Sequence, residues 1–190
     1  MRHELSASGH PVASFLEFML HIRLATAADA ALVARLGAAL FAQAVAERNS
    51  AEDMRDYLTH AFGESVQARE LADTNMRTWI AEDGDGVAVG YVQLRQESQP
   101  PVGSLQRPAE LARIYSDARW HGRGVGPALL ETCVAAARAA GATDLWLAVW
   151  KLNPRGIAFY EKHGFRIVGQ QIFQLGTETQ TDWVMVRSLR

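Results

Sequence analysis

The 190-residue chain reads as an α/β protein built on a mixed sheet. Three observations predict this. Apolar runs of strand length alternate with amphipathic runs of helix length, in the order strand, helices, a run of strands, helix, strand, helix, two strands. A glycine-rich segment, Trp120-His121-Gly122-Arg123-Gly124-Val125-Gly126-Pro127-Ala128-Leu129-Leu130, joins the apolar run Leu111–Tyr115 to an amphipathic run that lasts to Ala140, the pattern of strand, turn and helix. Finally, Leu145-Trp146-Leu147-Ala148-Val149-Trp150 is apolar throughout, as a strand in the middle of a sheet should be.

Element by element, His21–Leu24 is a short alternating strand. Thr26 with Asp29 makes a capping-box start, and a helix follows with Leu32, Leu36, Leu40 and Phe41 near helical spacing. Ser50 with Asp53 repeats the device for a second helix through Phe62, which Gly63 ends. Glu64–Ala72 is a third, short helix. Arg77–Ala81 and Val87–Leu94 are strands joined by the hairpin turn Asp83-Gly84-Asp85-Gly86. Residues 95–108, with Pro100, Pro101, Gly103 and Pro108, form a loop. Ala109–Ser116 is a strand, and the next helix runs from Gly124 to Ala140, stopped by Gly141. Thr143–Trp150 is a strand. Asn153-Pro154 opens a short helix through His163, and Phe165–Gln171 and Thr181–Ser188 are the last two strands.

Composition narrows the possibilities. The formal net charge is −2 and the pI about 6.3, which argues against a general nucleic-acid binder with its basic stripe. A lone cysteine, Cys133, excludes an internal disulfide and falls among alanines as an apolar filler. A reducing, cytoplasmic setting follows as the expectation. No apolar run reads as a membrane span. Residues 12–20 look mildly like a short signal core but are interrupted by Glu17, so 1–20 are expected to be an extension, with Met19 an alternative start, and 21–190 a single domain. The histidines show no metal spacing, and no metal is expected.

The glycine-rich turn carries the functional argument. It places backbone N–H groups at a helix N-terminus, where they have no partner within the helix and the helix dipole favours an anion. A phosphate is the natural occupant. Gly122, Gly124 and Gly126 let a ligand approach the backbone closely, and Pro127 suits the first helical turn, where a missing N–H costs nothing. A P-loop would need Gly-Lys-Ser/Thr at the end of the turn, but Pro127 and Ala128 follow Gly126. A dinucleotide fingerprint would need a glycine at 127 or 129, where Pro127 and Leu129 stand. From these residues alone, an ordinary glycine-rich turn stays open.

His121-x-x-Gly124-x-Gly126 resembles the pyrophosphate turn Q/R-x-x-G-x-G/A of the GNAT superfamily of acyltransferases, with His121 in place of the usual Gln or Arg. Three further blocks resemble that family in the same order: Glu110-Leu-Ala-Arg-Ile-Tyr-Ser116, Leu145-Trp-Leu-Ala-Val-Trp150, and Asn153-Pro-Arg-Gly-Ile-Ala-Phe-Tyr160-Glu-Lys-His-Gly-Phe165. The resemblance covers Ile22 to the C-terminus. It implies a mixed, mostly antiparallel sheet of about seven strands, helices on both faces, and two central strands that splay apart for a thioester arm. It also implies acetyl-CoA as co-substrate, held by the backbone of Ile114, Tyr115 and Ser116 and by the turn residues His121, Gly122, Arg123, Gly124, Val125, Gly126, Pro127 and Ala128. Asn153 would bond the pantetheine arm, and Tyr160 would point at the sulfur. A homodimer is left open, since many relatives self-associate. A narrower resemblance, to the polyamine (spermidine/spermine) N-acetyltransferase-like subgroup, rests on Glu110-Leu-x-Arg-Ile-Tyr, on Trp146-Leu-x-Val-Trp150 and on the tail Phe173-x-Leu-Gly-x-x-x-Gln180-Thr-Asp182.

Acyl transfer to an amine needs a held donor, a neutral amine, a stabilised oxyanion and a proton for the thiolate. Tyr160 is the candidate acid, since a phenol near pKa 10 keeps its proton at neutral pH. Only about one primary amine in a few thousand is neutral at pH 7, so a base is required. Glu110, at the start of the splayed strand, is the first candidate; Asp182 and Tyr115 follow. A backbone N–H of strand 114–116 would meet the oxyanion. Arg123 is a candidate for charge against the phosphates, and Arg119 reads as solvated. Asn153 is equally a helix N-cap. The acceptor end would be formed by the first three helices and a 172–182 loop. Residues 47–73 hold seven acids (Glu47, Glu52, Asp53, Asp56, Glu64, Glu70, Asp73) against three bases (Arg48, Arg55, Arg69), a net −4 that suits a small cationic amine or, equally, an ordinary solvated surface. Trp146 and Trp150 share one sheet face, as core or as channel wall. Three functions compete: N-acetylation of a small amine, N-acetylation of a protein or peptide, and acyl-CoA sensing without turnover.

Overall fold

The computed structural model describes residues 20–45 and 50–190. The expectations for the 1–20 extension and for Met19 as a start therefore lie outside the described residues, apart from Leu20, and so do Glu47 and Arg48 of the acidic segment. The elements run β1 (His21–Leu24), a short 3-10 turn (Ala27–Asp29), α1 (Ala30–Val45), α2 (Ala51–Phe62), α3 (Glu64–Ala72), β2 (Met76–Glu82), β3 (Ala88–Arg95), β4 (Pro108–Ser116), α4 (Val125–Ala139), β5 (Asp144–Trp150), α5 (Pro154–Lys162), β6 (Arg166–Leu175) and β7 (Glu178–Ser188). The seven strands form one sheet in the order β1-β2-β3-β4-β5-β7-β6. Every neighbouring pair is antiparallel except β4–β5, which α4 connects as a parallel crossover.

Local chemistry accounts for the element starts. The Asp29 carboxylate accepts from the Thr26 N–H at 2.8 Å, and the same carboxylate holds the Arg23 guanidinium at 2.9 and 3.0 Å, tying β1 to the turn before α1. The Ser50 hydroxyl caps α2 by accepting from the Asp53 N–H at 3.1 Å, a contact worth about 1 kcal/mol in such positions. In the β2–β3 turn the Asp83 carboxylate accepts from the N–H groups of Asp85 and Val87 at 3.0 and 2.9 Å.

The two sheet faces carry different layers. On one, α4 buries Val125, Leu129, Leu130, Cys133, Val134 and Ala137 against Val92, Leu94, Leu111, Leu145, Leu147 and Met185, with α5 alongside. Each large side chain fully buried there contributes about 1.5–3 kcal/mol. Cys133 is the apolar filler expected, and burial pushes its thiol up to about 12. On the other face α1, α2 and α3 enclose Val33, Leu40, Phe41, Met54, Phe62, Ile80 and Tyr91. Further along that face the 96–107 loop closes over Trp146, which packs with Val184, Val186, Val102 and Leu105 and donates its indole N–H to the Ser98 carbonyl at 2.7 Å. Trp146 is core.

Two expectations need correction. The segment 172–182 is a hairpin in place of a loop: β6 continues to Leu175 and β7 begins at Glu178, around the two-residue turn Gly176-Thr177. Gly176 takes φ 58, the left-handed value a tight hairpin turn favours. The Gly-Thr pair marks that turn in the sequence, but the polar run after it hides the strand. The second correction concerns apolar length. Ala27–Ala44 is long and apolar enough by composition to cross a membrane, with a mean hydropathy of 1.3 over 18 residues. Here the segment packs one face onto the sheet through Val33, Leu40 and Phe41.

Candidate functional site

The site grows out of the one parallel strand pair. β4 and β5 pair only over Pro108–Glu110 and Asp144–Trp146. Beyond that point β4 keeps its antiparallel partner β3 through Ser116, and β5 keeps β7 through Trp150, while the two facing edges part. A register shift helps to open them: Gln93 faces Arg113 and Leu94 faces Leu111, so Ala112 is an extra residue on β4. Such a bulge bends the strand that carries it. The β5-facing edge of Leu111–Ser116, which includes Ile114, Tyr115 and Ser116, thus lies outside the β4–β5 pairing.

The glycine turn lies at the wide end of this split. Gly122 and Gly124 stand at φ 78 and 88, and a Cβ on either would meet open space. The first N–H to bond into α4 is that of Ala128, to the Gly124 carbonyl at 3.0 Å. Helix geometry leaves the earlier amides of Val125 and Gly126 pointing out of the helix end, and Pro127 has no N–H to leave. A Cβ on Gly126 would come within 3.6 Å of the Phe159 ring, so α5 packs across the first turn of α4. These residues fit a diphosphate: open backbone, positive φ, a helix N-terminus and no carboxylate in the turn itself. The His121 ring lies 3.2 Å from the Ser116 carbonyl, and the Arg123 guanidinium sits 5.7 Å from the Trp120 ring centroid. Arg119 pairs with Asp117 at 2.6 Å.

α5 brings the candidate acid to the split. The Asn153 side-chain Oδ1 caps the helix by accepting from the Gly156 N–H at 2.9 Å, so its N-cap reading holds in the structure. Two turns on, the Tyr160 ring packs between Phe159 and Phe165, at centroid distances of 5.4 and 5.7 Å, against the α4 core. Burial, with Cys133 nearby, raises the phenol's pKa further. Tyr115 lies on the opposite sheet face beside Tyr91 and Phe41, and burial raises its phenol well above the ordinary value. It keeps its proton at neutral pH, which suits a donor and makes a poor base.

The carboxylates divide. Glu110 is the last β4 residue paired to β5; its Oε2 accepts from Ser98 at 2.8 Å and from Arg95 at 3.1 Å. Glu70 turns inward to Arg113 at 2.5 Å, in a network with Gln93, so it forms no part of an acidic lip. Asp53 is a clasp. Its carboxylate accepts from Ser50 and from the backbone and hydroxyl of Thr177, 124 residues away, at 2.6, 2.6 and 3.0 Å, and these bonds hold its pKa below the usual range. A Cβ on Gly176 would collide with it, so that turn and the α2 start are fitted to each other. Between α2 and the hairpin a pocket of about 580 Å³ is lined by Glu52, Asp53, Asp56, Tyr57, His60, Gln174, Gly176 and Thr177.

Sequence reasoning missed the aromatic floor beside this pocket. Tyr57 lies 4.8 Å from Phe41 and 5.5 Å from Phe173, ring centroid to centroid. Nothing in the spacing of Phe41, Tyr57 and Phe173 signals that three separate elements bring them together. Asp182 stands on the same sheet face, opposite Trp150 on β5 and Gln171 on β6. Among the described residues no group of three or more metal-ligating side chains occurs.

A family model described as the acetyltransferase (GNAT) family matches residues 42–165. An uncharacterized N-acetyltransferase of Mycobacterium tuberculosis is 32% identical over 161 residues, 85% of this chain and 98% of the relative. Among solved structures, the PaiA N-acetyltransferase of Thermoplasma acidophilum in complex with coenzyme A shares the fold at a TM-score of 0.73 and 18% identity, covering 89% of this chain and 98% of that one. A chimera of the spermidine N-acetyltransferase of Vibrio cholerae shares it at 0.65 and 18%, covering 90% and 95%.

Proposed function

The chain belongs to the GNAT family of acetyltransferases, and from that premise we propose that it moves the acetyl group of acetyl-CoA to the primary amine of a small cationic acceptor by direct attack, with Tyr160 as general acid. The observation that carries the reading is the parted β4–β5 edge, which has a different environment on each side. On the α4 and α5 face lie the glycine turn and Tyr160. On the α1–α3 face lie Tyr57, Phe173 and the acid-lined pocket. A donor laid along the split would present its thioester to the second face and its departing sulfur to the first.

The chain's own groups have distinct duties in this reading. The amides at the start of α4 hold the diphosphate, and the free edge of Leu111–Ser116 holds the amide-rich arm in strand-like pairing. Tyr160 lends its proton to the thiolate as the C–S bond breaks; a phenol whose pKa burial has raised is protonated throughout the neutral range. Glu52 and Asp56 at the pocket rim favour a cation, and a cavity of about 580 Å³ lies within the range that takes small molecules. A polyamine has the charge and the shape for such a site.

The test is coenzyme A release, followed by a thiol reagent, across a panel of polyamines, monoamines, aminoglycosides and lysine or N-terminal peptides. Turnover concentrated in the small polycations supports the reading. Turnover confined to peptides moves the acceptor class, and acetyl-CoA binding with no turnover on any amine overturns it in favour of a sensor.

A further inference from the structure

Direct attack needs a group on the acceptor face to take the ammonium proton, and the β4–β5 split is flanked by two carboxylates that face it from that side. Glu110 is already bonded by a guanidinium and a hydroxyl, so its Oε2 has partners without any ligand. Asp182 is different. It is 7% exposed, and its Oδ1 has no hydrogen-bond partner. A buried carboxylate oxygen without a donor is costly unless some ligand completes it.

Its position matches a role in acceptor handling. Asp182 pairs with Trp150, at the end of β5 that β4 has left. It shares its sheet face with Val184 and Val186, whereas Trp183 and Met185 face the α4 core that holds Tyr160. The titratable neighbour facing it is Tyr57 on α2, a pocket-lining residue close enough that the Asp182 charge opposes ionisation of the phenol. From β6 the neighbour is the neutral amide of Gln171, which bonds the carboxylate, and from β5 it is Trp150. Opposite charge is thus lacking among these named neighbours, while the acid-lined pocket would deliver one on an ammonium.

We propose that Asp182, through its unpartnered Oδ1, receives the acceptor ammonium beside Tyr57, a residue that lines the pocket, and takes its proton, so that the neutral amine can attack the thioester. This deepens the acetylation reading and rests on it. The balance is simple. The ammonium gives one proton to Asp182, which passes it to solvent. The C–N bond forms as the C–S bond breaks, and the second proton lost by the nitrogen equals the one that the thiolate takes through Tyr160. Burial raises the carboxyl to about 6, close to the pH at which it must work.

Asp182→Asn keeps the shape and can still accept from Gln171. The expected result is a fall in kcat/KM of at least about 100-fold with an acceptor amine found in the screen, as for loss of a general base, with coenzyme A affinity by calorimetry unchanged. Two further readings separate catalysis from structure. The variant should be no less stable at pH 7, since a buried carboxylate that resists ionisation no longer opposes folding there. Its deficit should shrink at least tenfold with a weakly basic acceptor, such as an alkoxyamine, that is already neutral at the assay pH. If the wild type turns over and Asp182→Asn stays within about threefold of it, the Asp182 assignment falls while acetylation stands. The same holds if Glu110→Gln alone shows the loss and the rescue. If the wild type acetylates no amine, the acetylation reading falls and this assignment goes with it.

Discussion

Gly90 on β3 offers a sharp test of how the coenzyme side is built. It pairs with Ser116, and a Cβ placed on it would lie 2.8 Å from the Tyr115 carbonyl oxygen, 3.1 Å from Leu129 Cδ1 and 3.2 Å from Val125 Cγ1. The first contact is with backbone and roughly half an ångström inside ordinary van der Waals range, so no rotamer change relieves it. Gly90 does not occupy the left-handed region, so alanine meets no backbone penalty. Two effects oppose each other in Gly90→Ala. Overpacking costs about 1–3 kcal/mol. The reduced freedom of the unfolded chain returns about 0.4–1 kcal/mol. The net loss is about 1–2 kcal/mol, or roughly 2–8 °C in Tm for a chain of this size. Because the displaced atoms are the end of β4 and the first turn of α4, coenzyme A should also bind roughly tenfold more weakly, about 1.4 kcal/mol. Gly84→Ala in the adjoining hairpin turn is the control, since its Cβ meets nothing within 4 Å. Differential scanning calorimetry and titration calorimetry read both. If Gly90→Ala melts with Gly84→Ala and binds coenzyme A like the wild type, the close approach of β3 to β4 and α4 is wrong.

Other perturbations probe other parts of the site. Tyr160→Phe should lower kcat by about 10²–10⁴-fold while calorimetry finds coenzyme A affinity unchanged; equal turnover would remove Tyr160 from the acid role. Gly124→Val places a branched residue at φ 88 and fills the open backbone cradle, so coenzyme A binding should be lost with the fold intact by circular dichroism. Unaltered affinity would count against that cradle. Acid unfolding should report the Arg23–Asp29 pair. Arg23 depresses the Asp29 pKa to about 2, below its unfolded value of 3.8, so the pair's stabilisation is present above about pH 4 and disappears as pH falls toward 2. Asp29→Asn should therefore be less stable than wild type at pH 7 and equal to it near pH 2; a gap of constant size would contradict the pairing.

The fold and the glycine turn that opens α4 were legible because their signals are local. Apolar periodicity placed the elements. Capping chemistry at Thr26–Asp29 and Ser50–Asp53 marked helix starts, and three glycines ahead of an amphipathic run marked the turn into α4, because backbone conformation depends on residues a few positions away. The 172–182 segment escaped, since a strand whose outer face is solvated carries few apolar residues to announce it. Glu70 and Asp53 read from the sequence as members of an acidic surface, yet one is bound to Arg113 and the other to Thr177.

The sequence by itself determined that this is an α/β chain with a strand–glycine turn–helix unit and a tyrosine one helix later. Only the tertiary structure decided which carboxylates are engaged in bonds and which buried one, among the described residues, keeps an unpartnered oxygen. That division depends on strand register and on partners up to 124 residues apart, and a one-residue slip in register would turn Asp182 to the opposite face of the sheet.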